Sequence, residues 1–280
     1  MTDMRSQPEL PITLVLVISL SSLSLAGQEK KESRYLVAHN AAISVTNDYG
    51  SIKVGPSAGR QVVVTTVTRS GAPSFMGEQH GNRIELQCLL RPFAQGLVDY
   101  VVLVPDDSVV SLRSSDGSLQ VDGLRGDIML ETLTASVGVT NITHAHLHVR
   151  TLSGPIKLTA VRDSHVSVNS VKGDVNLRDV TGSSVKVDSG SGQITYAGDP
   201  GLGGDYVLTS YSGNIGVSIP ASALAEIRTR SLQDDSHQEP RTRPQINKGS
   251  QSNQFLNPGS TTMPRFLLQS IRGNIQVQHP

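Results

Sequence analysis

Apolar residues in this chain fall into short alternating runs that return on a fixed ruler. Gly154, Gly173 and Gly192 lie 19 residues apart, and Gly213 follows after 21. Two positions past this glycine stand Leu119, Val137, Ile156, Val175, Ile194, Ile215 and, near the C-terminus, Ile275; four past it stand Val121, Val139, Leu158, Leu177, Tyr196, Val217 and Val277. Five and seven positions before it the column is again apolar, as in Leu147 with Val149 and Val166 with Val168. Alternation at period two turns one side of a strand inward. Each repeat therefore predicts two short strands joined at a corner. Repeats of this length cannot bury an apolar side alone, so they must stack, and parallel stacking at about 4.8 Å makes residues i and i+19 neighbours. The fold class expected is all-β, a single-domain parallel β-solenoid (β-helix) of about 19 residues per coil, right-handed by the general preference of parallel crossovers.

Two further columns describe the corner. Gly117, Gly154, Gly173, Gly192, Gly213 and Gly273 mark a place that needs either positive φ or close backbone approach, with Ala135 as the exception. Three positions earlier run Ser114, Thr132, Thr151, Ser170, Ser189, Ser210 and Ser270, hydroxyls suited to bonding the turn. Before residue 110 the phrase is weaker. Ile43, Val45, Ile52 and Val54 repeat it, and Val62, Val64, Ile84, Leu86, Val102 and Val104 predict more strands, read as irregular N-terminal capping coils. Val102-Leu-Val104-Pro105 followed by Val110-Ser-Leu112 has a counterpart in Val217-Ser-Ile219-Pro220 followed by Ala225-Glu-Ile227. Residues 232–264 are polar and rich in Pro, Ser, Gln and Asn, and predict a mobile insertion before the chain rejoins at Phe266.

Composition agrees with narrow β-structure and narrows the partners. Aromatics are 4% of the 280 residues and Trp is absent. Lys plus Arg and Asp plus Glu are 24 each, so no net positive field exists for a nucleic-acid backbone. The lone cysteine, Cys88, can form no disulfide within the chain and reads as a buried, inert thiol. An apolar run begins at Ile12, continues to Ala26 and gives way to Gln28-Glu-Lys-Lys-Glu32. With Ser24 and Ala26 as the small residues before a cut, it predicts a signal peptide over 1–26, a polar linker over 27–35 and the solenoid over 36–280. An uncleaved anchor is the alternative. Cleavage would leave an exported protein with no membrane insertion, periplasmic, surface-bound or secreted.

The coils Thr151-Leu-Ser-Gly154-Pro-Ile156, Ser189-Gly-Ser-Gly192-Gln-Ile194 and Ser210-Tyr-Ser-Gly213-Asn-Ile215, with the rejoining Leu268-Gln-Ser-Ile-Arg-Gly273-Asn-Ile275, resemble the bacterial putative-adhesin β-solenoid family over roughly Ile43 to Val277. That family is a domain of unknown function. The resemblance implies the architecture and, through the family's name, adhesion; it carries no catalytic residues and no cofactor.

Candidate chemistry is confined to the outward positions. Arg113, Glu131, Arg150 and Asn169, followed by Asp188, form one outward column of alternating charge at its start. His144, His146 and His148 alternate along one strand, and His165 falls 19 residues after His146. Imidazoles so placed invite zinc or copper, but no cysteine is near and a solvated polar row explains them, so no metal is assigned. Asn141-Ile-Thr143 matches a glycosylation sequon by pattern alone. Paired carboxylates, which a β-helix lyase or hydrolase needs, do not face one another in the central coils. The expectation is a non-catalytic cell-envelope or surface module for a protein or glycan partner, with Arg113, Glu131, Arg150, Asn169, His146 and His165 as its binding rows. The alternatives are a carbohydrate-active enzyme on a β-helix and an envelope sensor or regulatory domain.

Overall fold

The structure, a computed structural model, describes residues 29–70, 74–89, 97–223, 225–231 and 263–279. The expected leader, and the insertion apart from its last residues, lie outside them. Among the described residues the regular elements are strands. The chain opens with β1 (Glu29–Leu36), β2 (Ala42–Pro56), β3 (Gln61–Ser70), β4 (Ser74–His80), β5 (Arg83–Leu89) and β6 (Leu97–Val104). It then enters regular coils through the long β7 (Val109–Asp122). Each later coil holds two strands: β8 (Ile128–Thr132) with β9 (Ser136–Thr143), β10 (His146–Thr151) with β11 (Ile156–Arg162), β12 (His165–Ser170) with β13 (Val175–Val180), and β14 (Ser184–Ser189) with β15 (Ile194–Ala197). β16 (Asp205–Ser210) and β17 (Ile215–Ser218) follow, then β18 (Glu226–Ser231), β19 (Arg265–Ser270) and β20 (Ile275–Gln278).

The strands form two parallel stacks. On the first face the order is β5–β2–β7–β8–β10–β12–β14–β16–β19–β18. On the second it is β6–β2–β7–β9–β11–β13–β15–β17–β20. β2 and β7 are long enough to turn the corner and serve both faces. The register pairs His146 with His165, Val149 with Val168 and Ile156 with Val175, the 19-residue offset of the sequence. The inward columns meet between the faces and are buried along their length, from Ile43 and Val45 to Phe266 and Leu268. At one end the core carries Tyr196, Tyr206 and Phe266, with Phe266 stacked on Tyr206 at 4.4 Å.

The N-terminal end is irregular, as expected. β4 lies antiparallel on β5, and β3 and β1 extend the second face as antiparallel strands beyond β6. Residues 29–35, expected within a polar linker, belong to β1, because Ser33 and Tyr35 turn inward against Val64 and Val62 while Arg34 between them faces water. A second departure is climb. From β6 the chain passes to β7 and skips one rung, which β2 occupies; from β17 it passes to β18 and again skips one, which β19 occupies.

The glycine column resolves in favour of close approach. A β-carbon on Gly154, Gly173, Gly192, Gly213 or Gly273 would meet the carbonyl oxygen of the residue one coil below at 1.9–2.1 Å. Gly117, with φ of 115°, is the member of that column that also needs the left-handed region. Left-handed backbone is concentrated instead at another corner, where Gly123, Asn141, Ala160, Asp179 and Gly198 stack with φ from 52° to 134°.

Candidate functional site

Each first-face strand ends in a corner whose construction creates a surface feature. The hydroxyl of the corner points inward and ties the turn: Thr151 Oγ1 accepts from Gly154 N at 2.9 Å, Ser210 Oγ from Gly213 N at 2.8 Å, and Ser170 Oγ donates to Gly173 O at 2.6 Å. With the hydroxyl inside, alternation pushes both its neighbours outward. The residue before it belongs to the row Arg113, Glu131, Arg150, Asn169, Asp188. The residue after it belongs to a second row, Leu133, Leu152, Val171, Gly190. These three large side chains are 53%, 47% and 50% exposed. Farther along, the same row carries Tyr211 and Ile271, and Arg272 lies over the Tyr211 ring at 5.2 Å.

Between the two rows runs a groove of about 830 Å³, lined by both from Arg113 and Ser115 to Asp188 and Gly190. Its polar wall is internally paired at one end. Arg113 Nη2 and Nε reach Glu131 Oε2 at 2.6 and 3.0 Å, and Arg150 Nη1 stands 3.9 Å from Glu131 Oε1. At the other end Lys186 Nζ lies 3.2 Å from Asp188 Oδ2. The carboxylates lining the groove, Glu131 and Asp188, are three rungs apart, about 14 Å at strand spacing.

The binding rows expected from sequence therefore separate. Arg113, Glu131, Arg150 and Asn169 line the groove. His146 and His165 start the same strands, four residues from Arg150 and Asn169, and stand outside it. Their rings meet edge to face at 5.0 Å, and His146 Nδ1 lies 2.9 Å from Asp127 Oδ1. His144 Nε2 is 4.0 Å from Asp163 Oδ2. Among the described residues no group of three or more His, Cys, Asp and Glu side chains converges as a metal site would require. The sequon residue Asn141 donates its amide to Asp122 Oδ1 at 2.9 Å. Cys88 is buried in the core, where burial pushes its thiol pKa up. The apolar row Leu133, Leu152, Val171 escaped the sequence reading. Its signal was present, an apolar column two positions before the glycine, but it falls out of phase with the inward columns and reads as turn.

A family model described as Toastrack DUF4097 matches residues 17–278. No curated protein matches the chain. Among solved structures it is similar to a putative adhesin from Bacteroides fragilis, 10% identical, over 89% of this chain and 97% of that one, with a TM-score of 0.48. It is similar also to a putative cell adhesion protein from Clostridium sporogenes, 10% identical, over 90% and 100%, with a TM-score of 0.31. A putative lipid binding protein from Parabacteroides distasonis is 11% identical over 90% and 97%, with a TM-score of 0.40. At such identities the likeness assigns no ligand.

Proposed function

The chain belongs to the Toastrack DUF4097 family, and we propose that it is an exported, non-catalytic binding module that holds an extended protein or glycan along its corner groove. The observation that carries this reading is the pairing of two outward rows, one charged except at Asn169 and one carrying the exposed Leu133, Leu152 and Val171, along about 830 Å³ of groove. Rows stepping at about 4.8 Å per rung suit an extended ligand that runs along them. Half-exposed leucines on a small protein surface are the kind of patch that marks contact with a partner. A separation of about 14 Å between Glu131 and Asp188 exceeds that of an acid–base pair in glycoside hydrolysis, which supports binding without turnover. Export is supported by the apolar run ending at Ala26.

The test is a glycan and matrix-protein array with the wild type, with Arg150→Ala combined with Leu152→Ser, and with His146→Ala. The groove variant is expected to lose at least about tenfold in affinity, the effect of removing contacts worth about 1.4 kcal/mol. His146→Ala is expected to bind as the wild type does. Loss in the histidine variant alone would move the ligand to the other row, and turnover of any polysaccharide would overturn the non-catalytic reading.

A further inference from the structure

The two ends of the solenoid are finished differently. At the N-terminal end the second face closes on β1, whose Glu29, Lys30, Lys31, Glu32 and Arg34 make a charged edge of the kind that discourages another strand. At the C-terminal end the outermost strands among the described residues are β18 on the first face, which carries Glu226, Arg228 and Arg230 outward, and β20 on the second. β20 reads Ile-Gln-Val-Gln, without a charge. Its inward Ile275 and Val277 are only partly buried, whereas Ile215 and Val217, one rung below, are 1% and 2% exposed. Ile227 of β18 is likewise partly buried. Among the described residues no strand lies beyond β18 on the first face or beyond β20 on the second.

Backbone direction and side-chain direction agree at both edges. Asn274 and Gln278 give their carbonyls to β17, so the N–H and C=O groups of Ile275 and Val277 point off the free side of β20. Glu226 N bonds Pro264 O on the β19 side, so the groups of Ile227 and Thr229 point off the free side of β18. The end is also stepped, because the first face rises one rung higher than the second. A two-fold axis along the strand direction sets the high face of one copy over the low face of another, antiparallel, and satisfies both steps at once. An axis normal to the sheets would bring the high faces together and leave the low faces apart.

We propose that this end is a self-complementary docking surface for a second copy of the chain, in which β18 of each copy pairs antiparallel with β20 of the other. Ile227 then lies opposite Val277 and Thr229 opposite Ile275, each pair exchanging both backbone bonds and facing the shared core. Arg228 and Gln276 lie opposite on the outside as a non-hydrogen-bonded pair, with no clash of like charge. The contact is isologous and closes as a dimer.

Light scattering on the purified protein across a concentration series is expected to show a monomer–dimer equilibrium. Val277→Pro removes an N–H that faces away from β17, so it is expected to give a monomer at every concentration, with the melting temperature that the wild type shows where dilution has made it monomeric. In a Cys88→Ala background, an oxidised mixture of Arg228→Cys and Gln276→Cys is expected to yield a disulfide-linked dimer that neither variant yields alone. A wild type that stays monomeric, a Val277→Pro protein that stays dimeric, or cross-linking of Arg228→Cys with itself would overturn the proposal.

Discussion

A β-carbon on Gly173 would sit 2.0 Å from the carbonyl oxygen of Gly154, and one on Gly192 would sit 2.1 Å from that of Gly173. Coils stacked at strand spacing leave no room to retreat, so Gly154, Gly173, Gly192, Gly213 and Gly273 exclude side chains by contact rather than by dihedral angle. Gly173→Val is therefore expected to lower stability by about 1–3 kcal/mol, read as a fall in the urea midpoint. Asp174→Ala should cost less, since its exposed carboxylate gives up a single bond from Gln193 N at 2.8 Å. A different residue-scale constraint sits under the N-terminal strands. Burial pushes the Asp99 carboxyl up, but the Ser51 hydroxyl and amide, at 2.6 and 2.8 Å, and the Arg69 guanidinium outweigh it and hold the pKa below the usual value. A folded pKa below the unfolded one stabilises the protein above the unfolded value of about 3.9, and the gain disappears as pH falls through the folded value. The urea midpoint should thus drop on acidification below about pH 4, and Asp99→Asn should flatten that limb of the profile.

Among the elements, the strands that climb two rungs share a device. Pro105 O accepts from Ser108 N at 3.1 Å before β7, and Pro220 O accepts from Ala223 N at 2.9 Å before β18. The repeated Val-x-(Val/Ile)-Pro phrase thus marks the same event twice. The phrase was visible in the sequence, but its meaning was not, because periodicity tells which side of a strand is inward and nothing about which rung it takes. For the same reason β2, read as an early coil, could not be placed between β6 and β7. Phe266 is what fastens the inserted β19. It stacks on Tyr206 and meets Tyr196 edge on at 5.2 Å, and the two tyrosine hydroxyls are tied to Pro200 O and Val180 O. Phe266→Ala is expected to cost about 3–5 kcal/mol, and near-ultraviolet circular dichroism should lose the ordered tyrosine signal along with it.

At the scale of the molecule, the inward columns made the central coils legible because a solenoid repeats one steric problem, and every coil answers it with the same residue types. The left-handed corner was illegible because its answers differ: Asn141, Ala160, Asp179 and Gly198 share a conformation and no chemistry. The groove was half legible. Its charged wall could be projected from an outward column, whereas Leu152 and its neighbours lie in a turn, where strand alternation has no predictive force. The skipped rungs also set an order in time. A ribosome releases β18 before β19, yet β19 belongs between β16 and β18. While β19 is still unmade, β18 has the vacant edge of β16 before it, and Ile227 belongs to the same inward column as Phe266. Synthesis therefore passes through an interval in which the wrong neighbour is available and the right one is not, and the three-ring cluster around Phe266 is the contact by which the later strand can win the place.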